Sequence, residues 1–421
     1  MQRVAKILQK VLQLLLWCAT VSGAESKPFT VIVIPDTQYY VDFEKQKAGG
    51  FAIDSSTLLI EEMQYIASRS VANGGDVAFA AAVGDVWQHM SASEDTGHTR
   101  RGIVSSGPDE GLQTLIRPRQ LREIEIPQAV EAYRILARSG VPFGIAPGNH
   151  DYDAMWAIKL PGTDAPQVHI GGLDNFRRTF GSQSEFFKGK PWYVGAHDGG
   201  TNSAQIFEAG GYRFLHLALE FQPGDAVLAW AETVLAAHPG MPTLITTHQF
   251  LHPRGDRELR DGMNLALGDP VGNNTPEQVW QKFISRHDQI FMVLSGHHSG
   301  QATRIDANVF GHKVYQLLSD YQGRGQAGLD AGQKRYDDGG VPGIGDGWIR
   351  EMKFLLDGEH PRVEVRTYST HYHAYADQLA TYAVWYKARE QAQVSDDEFV
   401  KKDGFVLELD DFAARFGRRK Q

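Results

Sequence analysis

Thiol chemistry is almost absent from this sequence: Cys18 is the sole cysteine in 421 residues. One thiol cannot form an intramolecular disulfide, a zinc finger or a Cys-x-x-Cys redox pair. The chain also lacks an excess of positive charge. Its 42 Lys and Arg stand against 51 Asp and Glu, a formal net charge of -9. Nucleic-acid and anionic-membrane binding favour a basic face, and nothing here supplies one. No Gly-x-x-x-x-Gly-Lys-Ser/Thr phosphate loop occurs, so nucleotide binding of that kind has no support. No internal repeat or low-complexity tract stands out. Hydrophobic residues make up 42% and charged residues 22%, which places the chain in the ordinary globular class.

The first 24 residues differ from the rest. Arg3, Lys6 and Lys10 form a basic stretch, Val11 to Ala19 is apolar apart from Gln13, and Ser22 and Ala24 are small. This order reads as a secretory signal and not a membrane span, because spanning takes about 20 apolar residues. An exported, periplasmic or secreted protein is therefore expected. Its mature chain would start near Glu25, without Cys18 and without a transmembrane segment. Removing three basic residues and no acid moves the formal charge from -9 to -12. Stability outside the cytoplasm must then come from packing and bound metal.

Five short apolar runs each end in a chemically capable cluster. Phe29–Ile34 leads to Asp36-Thr37-Gln38, Val77–Val83 to Gly84-Asp85, and Val141–Ala146 to Gly148-Asn149-His150-Asp151. Thr243–Thr247 leads to His248, and Gln289–Leu294 to Gly296-His297-His298. Such runs read as buried strands. Helical patterns lie between them over 58–69, 129–137, 226–237 and 276–287. The alternation predicts an α/β protein with parallel pairing, whose ligand lies beyond the carboxyl ends of the strands. Val314–Ser319, Ile349–Leu356 and Arg362–Thr370 read as strands that suit a second sheet with antiparallel pairs. Residues 373–421 read as helix and polar tail. Residues 88–125 and 322–347 read as long loops.

Asp, Asn and His at strand ends are ligand types suited to a pair of Zn, Fe or Mn ions. Two such ions can clamp a phosphoryl group and generate hydroxide at neutral pH. The order of the motifs resembles calcineurin-like metallophosphoesterases. That family reads Asp-x-His, Gly-Asp, Gly-Asn-His-Asp/Glu, a lone His, then Gly-His-x-His. Pro35–Tyr39, Asp320–Gln322 and Gly347–Arg350 are similar to an exported bacterial branch of it. The resemblance covers residues 28–375 and leaves 376–421 as a C-terminal extension. It implies a four-layer sandwich of two mixed β-sheets flanked by helices, and two divalent metal ions, Mn, Fe, Zn or Mg. It implies hydrolysis of phosphomonoesters or phosphodiesters by a metal-bound hydroxide.

By the same resemblance Asp85 bridges the ions, Asn149, His248 and His297 complete one metal site, and Asp36 and Gln38 begin the other. His150 would assist at the phosphoryl or leaving oxygen, and Asp151 would orient it or cap a turn. Two positions depart from the family: Gln38 stands for a His, and Ser299 for the second His of the last motif. His298 or Gln88 would be substitute ligands. These departures favour an alternative, a non-catalytic metal-binding surface protein of the same fold, which the intact His150 disfavours. His252 would contact phosphate or simply be exposed. Arg100, Arg101, Arg117, Arg119 and Arg122 would bind substrate or be solvated. Trp87, Tyr39 and Tyr40 would line the pocket or pack in the core. The substrate's identity does not follow from the sequence.

Overall fold

The structure is a computed structural model that describes residues 27–91, 110–158, 167–259, 263–268 and 272–417. The signal expected over 1–24, and Arg100 and Arg101, lie outside the described residues. Strand β1 (Phe29–Ile34) and β2 (Val77–Ala82) are buried at every position, as their apolar runs require of strands covered on both faces. They pair in parallel with each other, and β2 pairs in parallel with β3 (Phe143–Ile145). Small β4 (Ala154–Ile158) and β5 (Gln167–Gly171) form a separate hairpin. Next come β6 (Tyr193–His197), β7 (Asn202–Ala209) and β8 (Tyr212–Leu219). The remaining strands are β9 (Thr243–Thr247), β10 (Ile290–Ser295), β11 (Gly300–Ala307), β12 (Lys313–Asp320), β13 (Trp348–Leu355), β14 (Arg362–Ser369), β15 (Ala374–Tyr375) and β16 (Gly404–Glu408).

Two seven-stranded sheets result. One runs β15-β14-β13-β1-β2-β3 with β16 on β14, and the other β11-β12-β10-β9-β8-β7-β6. Both are mixed: β8, β9, β10 and β12 are mutually parallel, whereas β13 is antiparallel to β1 and β11 to β12. Alternation sorts each strand's residues between layers. Val31, Val33 and Phe79 meet Phe207, Phe214, Leu244 and Met292 between the sheets. Ile32, Ile34 and Ala80 face outward onto helices α1 (Ser55–Ser68) and α2 (Ile126–Arg138), through Leu59, Met63, Tyr133 and Leu136. On the opposite side Leu215, Leu217, Ile245 and Val293 pack on α3 (Asp225–Ala237) and Trp280 of α4 (Pro276–Lys282). The order helix, sheet, sheet, helix is the expected four-layer sandwich.

Two expectations change, and one segment adds strands beyond them. The strands near 314, 349 and 362 do not build a sheet of their own. β12 enters the second sheet beside β10, and β13 inserts against β1, because their apolar residues are needed at interior positions. Residues 193–219 supply three strands that their Asn, Gln, Glu and Arg content conceals. The Gly210-Gly211 turn between β7 and β8, with φ of 58° and 78°, is the hairpin signal in that stretch. Finally, residues past 375 are not simply a polar tail, since β16 extends the first sheet and helix α5 (Tyr382–Glu390) packs Tyr382 and Tyr386 on Trp348. No described helix is long and apolar enough to cross a membrane.

The two sheets approach closely at Gly144 of β3. A Cβ there would lie 2.6 Å from the His216 ring and 2.5 Å from the Gln205 amide oxygen. His216 is fully buried, its Nδ1 2.7 Å from Gln205 Oε1 and its Nε2 2.7 Å from Thr246 Oγ1. A neutral ring satisfies both contacts, donating at Nδ1 and accepting at Nε2. Burial pushes its pKa down to about 3. Between that value and the unfolded value near 6.5, only the unfolded chain takes up the proton, so stability falls as pH drops below about 6.5. Wild type should lose about 2 kcal/mol more than His216→Gln between pH 7 and pH 5. Urea unfolding of both proteins at the two pH values checks this, and equal losses contradict it.

Candidate metal centre

The carboxyl ends of β1, β2, β3, β9, β10 and β12 carry Asp36, Asp85, Asn149, His248, His297 and Asp320. Tight backbone brings these side chains together. Gly84 has φ of 112°, and Asp85 and His297 sit in the left-handed region at φ of 50° and 74°. The motif glycines permit close approach. A Cβ on Gly148 would fall 2.2 Å from Asp85 Oδ1, and one on Gly296 would fall 2.1 Å from Asp36 Oδ1.

Four donor atoms converge. His248 Nε2 lies 3.2 Å from Asp85 Oδ2, 3.2 Å from Asn149 Oδ1 and 3.3 Å from His297 Nδ1. His297 Nδ1 lies 2.9 Å from Asn149 Oδ1. A tetrahedron with metal–ligand bonds of about 2.0–2.1 Å has edges of about 3.3 Å, so these atoms are spaced as one cation's ligands. His248 Nδ1–H donates to the Val83 carbonyl at 2.9 Å, which aims Nε2 inward, as outer-shell partners of ligand histidines do. Asp36 stands beside this set, its Oδ2 3.9 Å from His248 Nε2. Ligand atoms of Asp36, Asp85 and His248 all fall within 4.8 Å of one another.

Toward Asp36 the character changes from nitrogen to oxygen. Asp36 Oδ2 accepts from the His297 N–H at 3.1 Å and from Gln322 Nε2 at 3.3 Å. Gln322 Nε2 also donates to Asp320 Oδ2 at 3.1 Å. The amide oxygens of Gln38, Gln88 and Gln322 are buried and accept no hydrogen bond. Buried acceptors without a donor are rare, and a hard cation satisfies such oxygens. A second group of metal-ligand type comprises Asp42, His89 and Glu125. Gln120 Nε2 bridges it, 3.0 Å from Asp42 Oδ1 and 2.9 Å from Glu125 Oε1.

The charges at the centre are strongly perturbed. Burial, reinforced by Asp320 and Asp85, holds Asp36 well above the usual carboxylate range. Burial pushes Asp320 up to about 6. Burial opposes ionisation of Asp85 as well, but His248 and His150 override it and hold Asp85 well below the usual range. Burial likewise disfavours a charged His248, yet Asp85 and Asp36 push it up to about 10. The arrangement favours positive charge at this point.

His150 is the partly exposed member of its motif. Its backbone N–H donates to Asp85 Oδ1 at 2.9 Å, and its Nδ1–H donates to the Gln88 carbonyl at 2.7 Å. Glu125 Oε2 in turn accepts the N–H groups of Gln88 and His89 at 3.1 and 3.0 Å. Asp151 accepts from the N–H of Val86 at 2.9 Å and of Gly148 at 2.7 Å, so its carboxylate holds the turn. Burial and Asp85 push that carboxyl up to about 7.

The other sequence candidates divide. Gln38 is buried in the short helix Gln38–Val41 that follows β1. Ser299 lies against Gly323, where a Cβ would be 3.1 Å from its hydroxyl. His298 does not belong to the grouped metal-ligand residues; its ring stacks edge-on with His252 at 5.0 Å. Gln88 contributes its carbonyl to His150. Trp87 packs in the core against Phe176 and Phe180, and Tyr40 donates to Glu62 at 2.6 Å. Tyr39 is half-buried under Lys45. Arg117, Arg119 and Arg122 are exposed. Asp320 and Gln322 join Asp36 through the fold, and Val314–Ser319 is a sixth apolar run that ends in a carboxylate.

No family model matches the chain. The uncharacterized protein YvnB of Bacillus subtilis (strain 168) is 25% identical over 284 residues, 66% of this chain and 17% of that protein. The chain therefore spans less than a fifth of that relative's length. A solved structure, a dimetal phosphatase from Danio rerio (LOC 393393), aligns over 82% of this chain and 97% of its own. The identity is 14% and the TM-score 0.40.

The close approach at Gly296 makes a direct test. Gly296→Ala drives a methyl into the Asp36 carboxylate and should weaken divalent-ion binding at least tenfold, as outer-shell disruptions do. Calorimetric titration with Zn²⁺ and Mn²⁺ measures it, and unchanged affinity contradicts the packing argument.

Proposed function

We propose that this chain is a metal-dependent phosphoesterase, hydrolysing phosphomonoesters or phosphodiesters. The observation that carries the reading is the meeting of Asp85, Asn149, His248 and His297 at ligand spacing, with Asp36 beside His248 and the His150 N–H on Asp85. Asp85, Asn149, His248 and His297 would hold one divalent ion. Asp36, Asp85 and Gln38 would hold a second, to which Asp320 and the Gln322 amide oxygen add candidate oxygen donors. Bound divalent ions would supply Lewis-acid neutralisation of phosphoryl oxygens and a lowered pKa for water.

The chain's own groups then divide the work. His150 has Nδ1 fixed by the Gln88 carbonyl, leaving Nε2 as the atom that holds a proton toward the leaving oxygen. An imidazole suits this task near neutral pH. Asp151 and Glu125 act on the two turns that place His150, through Gly148 and Val86 and through Gln88 and His89. Oxygen-rich chemistry around Asp36, Gln38 and Gln322 supports Mn²⁺ or Mg²⁺ there, and the imidazole pair supports Zn²⁺ or Fe²⁺ at the other position. The imidazole-free second position is also what favours the non-catalytic reading.

Hydrolysis of a phosphoester panel with Mn²⁺, Zn²⁺, Fe²⁺ and Mg²⁺, beside metal analysis, decides between the two. His150→Ala should lower kcat about 10²- to 10⁴-fold with metal content unchanged. Asp85→Asn should lose both bound metal and activity. A wild-type protein that binds metal but hydrolyses nothing would establish the non-catalytic reading. An Asp85→Asn variant with normal metal content and turnover would remove the bridging role.

A further inference from the structure

A cleft of about 710 Å³ opens beside the centre, with His252, Arg254, His297, His298 and Glu390 on its lining. His297 belongs to both, so whatever fills the cleft reaches the proposed reaction site. Volumes of about 300–1,000 Å³ accept a whole small molecule, well beyond one phosphate group.

The walls are chemically one-sided. Arg254, His252 and His298 bring a guanidinium and two imidazoles. Glu390, the one acid among the described lining residues, is taken up by buried Arg324, whose Nε and Nη2 lie 2.8 and 3.0 Å from its two oxygens. With histidines neutral, as in the chain's formal charge of -9, Arg254 is the full positive charge among the described lining residues, and its exposed guanidinium attracts anions.

The loop that carries these groups is built to hold them. The His252 N–H donates to the Asp256 carbonyl at 2.8 Å, and the Gly255 N–H to the His252 carbonyl at 2.8 Å. Gln391 Nε2 ties down the Pro253 carbonyl at 3.2 Å and the Gln301 carbonyl at 2.6 Å. The Arg254 N–H donates to His252 Nδ1 at 3.2 Å. That contact makes Nδ1 the acceptor, so the proton of a neutral His252 sits on Nε2 as a donor. These bonds fix the loop backbone from which the exposed Arg254 side chain extends, so a bound anion need not order the loop itself.

We propose that this cleft is an anion subsite in which Arg254 and His252 hold a second negatively charged group of the substrate, a phosphate or a carboxylate. The inference rests on the phosphoesterase reading and narrows it to phosphoesters that carry a further anion beside the scissile group.

The test compares propyl phosphate, propane-1,3-diyl bisphosphate and 3-phosphooxypropanoate on the metal-loaded protein, for wild type, Arg254→Ala and Arg254→Lys. Wild type should favour at least one doubly anionic substrate over propyl phosphate by about tenfold or more in kcat/KM, and the two arms tell phosphate from carboxylate. That ratio should shrink about tenfold in Arg254→Ala, persist in Arg254→Lys, and fall as salt is raised. A wild-type ratio near one, or a ratio untouched by Arg254→Ala, overturns the subsite while leaving phosphoester hydrolysis standing. If none of the three is hydrolysed, hydrolysis of these monoesters is excluded and the phosphoester panel decides the wider reading. Calorimetric affinities of the same three compounds then judge the subsite by the same ratios. Arg254 is exposed, and a melting curve of each variant checks its folding.

Discussion

Buried negative charge at one point governs this molecule. Asp36, Asp85, Asp151 and Asp320 are each at most 3% exposed, and the first, second and fourth meet at the ends of strands from both sheets. Carboxylates that close in a low dielectric repel strongly, and each one alone is costly to ionise. The fold answers with positive charge and donors: His248 and His297, the His297 and His150 N–H groups, and the Gln322 amide. Those donors still leave three glutamine oxygens without partners. Divalent cations would complete the balance, and under the proposed function the same cations would supply the chemistry that phosphoester hydrolysis needs.

Much of the remaining structure presents those charges. The motif glycines let Asp36 and Asp85 approach the neighbouring turns. Past the centre, Tyr321 sits between Asp320 and Gln322, and its hydroxyl donates to Asp403 at 2.9 Å. Arg350 Nη2 reaches the same Asp403 oxygen at 2.7 Å, and Tyr382 reaches the other at 2.7 Å. Arg324 stacks under Tyr321 at 4.0 Å and pairs with Glu390. Arg324, Arg350 and Asp403 have fully buried side chains. Removing one partner of such a set typically costs about 3–5 kcal/mol. The C-terminal residues Glu390 and Asp403 thus anchor the segment that delivers Asp320 and Gln322.

The parts legible in the sequence were those whose physics is local. An apolar run ending in Asp or His marks β1, β2, β9 and β10 within one residue of their observed bounds, and the 3.6-residue periodicity finds α1, α2 and α3. Long-range pairing was not legible. Nothing in Lys313–Asp320 says that it joins β10 in parallel, and nothing in Gly404–Glu408 says that it adds to β14. The candidate site was visible where side chains follow strands, at Asp36, Asp85, Asn149, His248 and His297. Asp320 has the same signature, but its link to Asp36 through Gln322 appears only in the fold. Glu125 escaped because its contact is to backbone 36 residues away. The cleft at His252 and Arg254 depends on a loop geometry that spacing alone does not encode.

Thermal unfolding with and without added Zn²⁺ or Mn²⁺, after chelator treatment, tests the central claim most directly. If cations balance the buried carboxylates, they bind only the folded chain. At 1,000 times the dissociation constant they should then stabilise it by about 4 kcal/mol, seen as a concentration-dependent rise in Tm. A Tm that neither ion moves, in a chain shown by circular dichroism to be folded, would contradict the account.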